Sequence, residues 1–254
     1  MISKNDIKRI KQLELKKYRQ REGLFVAEGP KVVGDLIMSG YSPESIFATE
    51  EWIKTNTNLN GRIANLRIIS SDELRKISFL QHPQHVIAIF PIPDGQQVSQ
   101  PQGLCLALDG IQDPGNLGTI IRIADWFGIR NIYCSSDTVD AWNPKVIQAT
   151  MGSIAHVHIS YCDLHETLAH TQLPVYGTLL DGTDIYSQEL SDDGIIVMGN
   201  EGNGISDSIR KLVNHRLLIP SYNTGDSAES LNVAIATAIT CAEFRRRTQE
   251  KKHI

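Results

Sequence analysis

The sequence predicts an α/β protein whose C-terminal part carries a mostly parallel sheet. Short apolar runs alternate with helical patterns along most of the 254 residues, and this alternation is typical of β-α-β units. Three segments rich in Gly and Asn follow such runs: motif 1 at 111–129, motif 2 at 195–206 and motif 3 at 217–236. Because ligands bind open α/β sheets at the carboxyl ends of their strands, we expect these motifs to form the functional site.

The chain length allows one large domain or two small ones, and a hydrophobic content of 41% is ordinary for a globular protein. Residues 91–103 combine Pro, Gly, Gln and Ser between two apolar runs, which indicates a domain boundary. We therefore predict an N-terminal module over 1–95, a linker over 96–102 and a C-terminal domain over 103–254.

The N-terminal module is predicted to be a small α/β fold that begins with a basic helix over 4–20. Its other elements are a strand at 24–29, a helix at 31–40, strands at 45–49 and 66–70, a helix at 71–77 and a strand at 85–90.

The C-terminal domain alternates strands and helices, so its sheet should be mostly parallel. The predicted strands lie at 104–108, 131–135, 156–160, 175–180, 195–199 and 216–220, and the predicted helices at 117–127, 144–152, 163–171, 207–213 and 230–247.

Charge is distributed unevenly along the chain, whose formal net charge is -4. Residues 1–31 hold nine Lys and Arg against four Asp and Glu, and the last twelve residues hold five against two. This pattern favours a polyanion that docks near the termini, although such charge runs are also typical of solvated helix faces.

The four cysteines, Cys105, Cys134, Cys162 and Cys241, show neither disulfide nor metal-ligand spacing. We therefore expect no metal and a reducing cytoplasmic location. No apolar run reaches the roughly 20 residues that span a bilayer, so we expect a soluble protein without a membrane segment.

Motif 2 contains the run from Gly199 to Gly204, where glycines let a ligand approach bare backbone N–H groups. Its spacing is G-x-x-G-x-G, and Ile219 stands where a dinucleotide fold would place a ribose-binding acid. The pattern therefore disfavours a dinucleotide-binding oxidoreductase, while a simple turn between strand and helix remains an alternative.

Motif 1 places Asn116 at the predicted start of a helix and Arg122 inside its otherwise apolar sequence. Two interpretations of Arg122 are open. It could form a buried ion pair with Asp125 or Glu201, or its guanidinium could bind a phosphate or carboxylate.

Motif 3 contains Ser230, which is predicted to cap the terminal helix, and Asn232, which would then lie in the first turn. Asn is a poor residue inside a helix, so Asn232 could present its amide to a ligand. No His follows at a suitable position, and a nucleophilic triad built on Ser230 is therefore disfavoured.

With N-L-G-x-x-x-R, G-N-E-G-x-G and S-L-N-V-x-x-A in this order, the chain resembles the SpoU (TrmH-like) branch of the SPOUT RNA methyltransferases. The resemblance covers the whole chain, including an N-terminal stretch similar to the family's substrate-binding module. It implies a SPOUT fold with a deep C-terminal trefoil knot, an exception to the rule against knots. It also implies a homodimer that shares its RNA site across the interface.

The resemblance further implies methyl transfer from S-adenosylmethionine to a ribose 2′-hydroxyl, a reaction that depends on positioning. By similarity Arg122 is the main catalytic residue, with an electrostatic role because a guanidinium almost never loses its proton. The same pocket would contain Asn116, Glu201, Ser230 and Asn232. The implied cofactor contacts are Gly199, Ile219 and Leu231, with Asn200 and Gly204 beside them.

Relatives that carry an N-terminal module tend to act on large-subunit ribosomal RNA, so we expect that substrate. The alternatives are transfer RNA methylation and a non-catalytic RNA-binding or assembly factor. Phosphate contacts are expected from the basic residues Lys16, Lys17, Arg19, Arg21 and Lys31. The sequence assigns Asn143, Lys145 and Gly152 a mainly structural role. The loop at 221–229 is longer than in relatives and leaves Ser227 and Glu229 unplaced.

Overall fold

The computed structural model describes residues 2–56, 65–93, 100–223 and 230–252. The placement of Ser227, Glu229 and most of the predicted linker lies outside these ranges. The chain packs as two compact units, one formed by residues 1–94 with 140–156 and the other by residues 95–139 with 157–254. No helix within the described ranges is long and apolar enough to cross a membrane.

The helices are α1 (Lys4–Gln12), α2 (Lys16–Glu22), α3 (Pro30–Met38), α4 (Glu50–Thr55), α5 (Ser71–Ile77), α6 (Pro114–Trp126), α7 (Pro144–Thr150), α8 (Leu164–Ala169), α9 (Asp207–Arg210) and α10 (Val233–Lys252). The strands are β1 (Leu24–Glu28), β2 (Ser45–Ala48), β3 (Leu66–Ile68), β4 (Val86–Pro91), β5 (Leu104–Asp109), β6 (Asn131–Cys134), β7 (His158–Tyr161), β8 (Val175–Asp184), β9 (Gly194–Gly199) and β10 (His215–Leu218). Short 3-10 helices lie at Ser153–Ala155 and Ile185–Ser187.

The first unit contains a mixed four-stranded sheet in the order β1-β4-β2-β3. Strand β4 pairs antiparallel with β1 and β2, and β3 pairs parallel with β2. Its apolar face packs on α1 and α5 through residues such as Ile10, Val26 and Phe47. At the end of β1, the buried Glu28 accepts hydrogen bonds from Ser78 and Phe79, yet burial still raises the pKa of its carboxyl.

The predicted basic helix over 4–20 is wrong in one respect, because it is two helices separated by residues 13–15. The guanidinium of Arg19 donates to the carbonyls of Leu13 and Glu14 at 2.8 and 2.7 Å. This side chain satisfies carbonyl groups at the end of α1 that a continuous helix would have bonded internally.

Residues 140–156 pack with the N-terminal strands rather than with the sheet that precedes and follows them in the chain. The ring of Trp142 lies 4.7 Å from that of Phe25, and Asn143 caps α7 by accepting the N–H of Lys145. Gly152 has a φ of +100°, and a Cβ there would lie 2.2 Å from Asp35. These contacts agree with a structural role for this segment.

The second unit contains a six-stranded sheet in the order β10-β8-β9-β5-β6-β7, and all five strand pairs are parallel. This confirms the predicted α/β class and parallel sheet. The central strands β5 and β9 are buried runs of apolar residues, as expected for strands covered on both faces.

Strand β10 pairs with β8 in two separate stretches. Arg216 faces Gly177, whereas the next residue, Leu217, faces Thr183, so β8 residues 178–182 are bypassed. Gly182 permits this close crossing, because a Cβ there would lie 2.6 Å from the carbonyl carbon of Leu217. The threading of the C-terminal segment as a knot stays a prediction.

Candidate functional site

The polar parts of the three motifs follow the carboxyl ends of β5, β9 and β10, which lie at one edge of the parallel sheet. Asp109 at the end of β5 lies directly opposite Gly199 at the end of β9, so motifs 1 and 2 leave the sheet side by side. Motif 3 follows β10 and leads into α10, which packs against α6. The expected position at the carboxyl ends of the strands is therefore observed for motifs 1 and 2.

The first turn of α6 presents Asn116 to the site. Asp113 is the N-cap, because its carboxylate accepts the N–H of Asn116 at 2.8 Å, and Pro114 occupies the first helical position. The prediction that Asn116 is the N-cap is thus wrong. Since Asp113 performs the capping, the side chain of Asn116 is available for other contacts.

The first turn of α10 is capped by Asn232, whose Oδ1 accepts the N–H groups of Ala234 and Ile235 at 3.0 and 3.3 Å. The prediction that Ser230 is the cap is wrong, because the helix begins later, at Val233. Ser230 is exposed and makes no hydrogen bond to another described residue. Capping fixes Asn232 at the start of the helix with its Nδ2 still available.

One chain of side-chain hydrogen bonds joins the three motifs. Asn232 Nδ2 donates to Asn116 Oδ1 at 2.9 Å, and Asn116 Nδ2 donates to Glu201 Oε1 at 2.7 Å. In each asparagine the side-chain oxygen accepts a hydrogen bond and the side-chain nitrogen donates one. The direction of every bond in this series is therefore fixed. The structure thus brings together three of the five predicted catalytic residues.

Motif 2 forms a closed loop stabilised by Asn200. The backbone N–H and C=O of Asn200 bond to those of Gly204 at 2.9 Å each. The side chain accepts the N–H groups of Gly202 and Asn203 and donates to the carbonyl of Gly110 at 2.7 Å. The loop itself therefore uses the backbone groups of Asn200 and Gly204, and a contact of these two residues with the cofactor stays a prediction.

Gly199 is required by packing at the base of this loop. A Cβ there would lie 2.3 Å from the backbone carbon of Gly204 and the nitrogen of Ile205. A second contact secures the loop, because the carboxylate of the nearly buried Asp109 accepts the N–H of Ser206 at 2.7 Å. The strand end and the following loop therefore have a single compact arrangement.

Several apolar side chains near the ends of these strands are exposed. Leu180, on the bypassed stretch of β8, is 77% exposed, and Leu231, just before α10, is 50% exposed. Ile219 directly follows β10 and is half-buried. Such uncovered apolar surface is available for contact with a ligand or a partner.

Arg122 is exposed and makes neither an ion pair nor a hydrogen bond to another described residue. The alternative of a buried pair with Asp125 or Glu201 is therefore wrong. Arg122 lies six residues beyond Asn116, about 9 Å along the helix axis. It shares an exposed stripe of α6 with Thr119 and Trp126, and among the described residues no hydrogen bond joins it to the Asn232–Asn116–Glu201 chain.

The analysis of the sequence missed Asp109 and Asp113 as site residues. The signal for Asp113 was present, because Asp followed by Pro is typical of an N-cap and the first helical position. Asp109 carried no such signal, since its partner Ser206 is 97 residues away in the sequence.

The predicted RNA contacts divide into two groups. Lys16 and Lys17 are exposed, and Arg21 and Lys31 are exposed beside their partners Glu22 and Asp35. Arg19 contradicts the prediction, because it is only 1% exposed and its guanidinium is bonded within its own unit. A buried, fully bonded guanidinium cannot contact a phosphate of RNA.

No group of three or more His, Cys, Asp or Glu side chains suited to a metal ion occurs in the described ranges.

Comparison with known protein families identifies the class of protein. Residues 103–242 match the model of the SpoU rRNA Methylase family, and residues 4–88 match the MRM3-like substrate binding domain. The chain belongs to the SpoU rRNA methylase family, as the three motifs predicted.

Individual relatives agree with this assignment. The chain is 31% identical over 94% of its length to the 23S rRNA (guanosine(2553)-2'-O)-methyltransferase RlmP of Bacillus subtilis (strain 168), covering 95% of that protein. A putative RNA methyltransferase of the TrmH family from Porphyromonas gingivalis is 40% identical with a TM-score of 0.88, over 97% of this chain and 99% of that one. An AdoMet-bound rRNA methyltransferase from Sinorhizobium meliloti is 30% identical with a TM-score of 0.82, over 97% and 96%.

Replacing Gly199 by Ala tests the packing at the base of motif 2. The added methyl group overlaps the Gly204–Ile205 backbone, so we expect a loss of about 1–3 kcal/mol in the free energy of unfolding. Chemical denaturation measures this loss. The control is Gly202→Ala on the same loop, whose Cβ would meet only Asn200 Oδ1 at 3.5 Å. Equal stability of the two variants would contradict the steric argument.

Proposed function

We propose that this protein transfers a methyl group from S-adenosylmethionine to a ribose 2′-hydroxyl of large-subunit ribosomal RNA. The observation that carries the proposal is the hydrogen-bond chain Asn232–Asn116–Glu201, which assembles the motifs of the family at one sheet edge. The named activity of the Bacillus subtilis relative and the AdoMet-bound structure of the Sinorhizobium meliloti relative support the reaction and the cofactor.

In this proposal the cofactor lies against the ends of β9 and β10. Gly199 and Ile219 would provide backbone contacts, and Leu231 would cover the adenine. Asn200 and Gly204 would act indirectly, by keeping the loop closed. When bound, S-adenosylmethionine supplies an electrophilic methyl group on a sulfonium.

Arg122 would act on the RNA. Its exposed guanidinium can bind the phosphate next to the target ribose and stabilise negative charge that develops on the 2′-oxygen. The proton would pass to the phosphate or to water, because an arginine almost never gives up its own. Asn116, held between Glu201 and Asn232, would orient the nucleotide, and Ser230 would lie at the same helix start.

Two other functions are compatible with the fold: methylation of transfer RNA, and RNA binding without catalysis. The intact set of motif residues and their hydrogen bonds argues against the second, because binding alone does not require Glu201 to be paired with Asn116.

The proposal is tested by methyl transfer from labelled S-adenosylmethionine to total RNA from cells that lack the protein, followed by mapping of 2′-O-methyl nucleotides. We expect label at one site of large-subunit ribosomal RNA. Loss of an oxyanion-stabilising donor costs roughly 100- to 1,000-fold in rate, so Arg122→Ala should nearly abolish transfer.

Two further results decide between the alternatives. Full activity of Arg122→Lys would contradict a role for the guanidinium geometry. Label in transfer RNA would show that the substrate is transfer RNA and would leave the proposed reaction unchanged. Absence of both methyl transfer and S-adenosylmethionine binding would overturn the proposal.

We propose that the protein forms a homodimer through the face made by α6 and α10. Trp126 is 85% exposed and Ile235 is 53% exposed, and Ala242 is also exposed farther along α10. Large exposed aromatic and aliphatic side chains on one face are typical of an interface. A site shared between two copies is also consistent with the separation of Arg122 from the Asn232–Asn116–Glu201 chain, because Arg122 lies on the same stripe as Trp126.

The dimer is tested by light scattering after size-exclusion chromatography. A charge buried at an apolar interface is strongly unfavourable, so Trp126→Lys should convert a dimer into a monomer. The control is Ile68→Lys, which places the same charge at an exposed apolar residue of the first unit and should leave the dimer intact. A dimeric Trp126→Lys would exclude this face.

We propose that the N-terminal module, over residues 1–95, binds RNA phosphates with α2. Lys16 and Lys17 are free of ion pairs with described residues, and Lys17 and Arg21 lie over the ring of Tyr18. Lys31 would add a contact from α3. The knotted methyltransferase domain would comprise residues 103–254.

Salt dependence of RNA binding tests these contacts. Each phosphate contact contributes about 0.7–0.9 to the slope of log K against log salt concentration, so Lys16→Ala with Lys17→Ala should reduce the slope by roughly 1.5. The matched control is Lys76→Ala on α5, which should leave the slope unchanged. An unchanged slope in the double variant would move the RNA site elsewhere.

A reducing, cytoplasmic location is part of the proposal. All four cysteines are free thiols, and burial raises the pKa of Cys241 to about 12 and that of Cys134 further. Such thiols stay protonated and unreactive, and the fold does not depend on a disulfide.

A further inference from the structure

We propose that the buried pair Arg19–Asp140 is a positioning device for motif 1, on which it acts through Val139, the covalent neighbour of Asp140. The inference rests on the proposed methyl transfer, because its effect is on the rate of that reaction. Neither residue is expected to contact the substrate or the cofactor.

Each of the three guanidinium nitrogens of Arg19 donates a hydrogen bond within the protein. Its Nε and Nη2 donate to Asp140 Oδ2 at 2.9 and 2.5 Å, and its Nη1 donates to two carbonyls at the end of α1. With 2% of its side chain exposed, the guanidinium depends on this carboxylate for its counter-charge. The partner lies 121 residues away in the sequence, so the pair joins distant parts of the chain.

Asp140 begins the segment 140–156 and organises its first turn. Its second oxygen, Oδ1, accepts the N–H of Trp142 at 3.1 Å, and its carbonyl accepts the N–H of Asn143 at 3.0 Å. Trp142 in turn packs on Phe25 of β1. One carboxylate therefore fixes both Arg19 and the start of the segment.

The residue before Asp140 is bonded to motif 1. The N–H of Val139 donates to the carbonyl of Ile111 at 2.8 Å, two residues before the cap Asp113. The turn over residues 135–139 is also bonded to the end of β5. Thr138 Oγ1 donates to the carbonyl of Leu108 at 3.1 Å, and Ser135 Oγ accepts the N–H of Gly110 at 2.9 Å.

A continuous route thus runs from Arg19 through Asp140 and the peptide bond to Val139, and from there to the loop that carries Asp113 and Asn116. The proposed cofactor contacts follow other strands, β9 and β10. Motif 2 is bonded to this route through Asn200, whose Nδ2 donates to the carbonyl of Gly110 at 2.7 Å. Loosening of Asp140 should therefore disturb the nucleotide-positioning end of the site first and change the affinity for the cofactor much less. A shift of about 1 Å in a positioning group can cost on the order of a hundredfold in rate.

The test is Asp140→Asn in the full chain, which keeps the oxygen that accepts the Trp142 N–H and removes the counter-charge of Arg19. Single-turnover methyl transfer is measured at saturating RNA and S-adenosylmethionine, per cofactor-binding site determined by titration. We expect the rate to fall about tenfold or more, with the Kd for S-adenosylmethionine within twofold of wild type. Hydrogen exchange should increase at the amides of Val139 and Gly110.

The matched control is Asp72→Asn, which breaks the exposed Arg75–Asp72 pair of the same unit and should change neither quantity. A wild-type rate for folded Asp140→Asn would overturn the inference, as would a loss of rate that only follows a loss of cofactor sites. If Asp140→Asn does not fold, Thr138→Val loosens the same turn from the other side, and a wild-type rate there would also overturn it. Failure of the wild-type protein to transfer methyl groups would instead overturn the proposed function.

Discussion

The site depends on the hydrogen bonds that Asn116 makes at the two ends of its amide. Asn232 donates to its oxygen and Glu201 accepts from its nitrogen, so Asn116 is joined to residues that are 116 and 85 positions away in the chain. In two of the three motifs a side chain accepts backbone N–H groups of the first helical turn: Asp113 caps α6 and Asn232 caps α10. The two asparagines are therefore presented from the first turns of helices, which is the arrangement that precise positioning requires, whereas Glu201 is presented from the motif 2 loop.

The loop of motif 2 is also stabilised by an asparagine. Asn200 uses its backbone and its side-chain amide to close the turn and to attach it to Gly110, beside motif 1. The loop is thus stabilised by hydrogen bonds among its own polar groups. Open apolar surface at Leu180 and Leu231 complements this closed loop, since an apolar ligand face can cover it at little entropic cost.

The positive charge of the N-terminal region serves two different purposes. Arg9 pairs with Glu22 and Glu44, and Arg19 is buried against Asp140, so these arginines stabilise the unit itself. The lysines of α2 remain exposed and available to a polyanion. The planar guanidinium suits the structural positions because it can bond several acceptors at once, whereas a lysine is a mobile point charge.

Local patterns in the sequence determined the fold class, the parallel sheet and the three motifs, because apolar periodicity and Gly-rich turns act over short stretches of chain. The capping residues are also recognisable in the sequence, but the prediction chose Asn116 for α6 and Ser230 for α10, where the structure has Asp113 and Asn232. Neighbouring polar residues compete for the cap position, and the sequence alone does not decide between them. Only the tertiary structure decided that Arg19 is buried, that Arg122 is exposed and that residues 140–156 pack with the N-terminal strands. Each of these depends on contacts between residues far apart in the chain, and no local propensity encodes them.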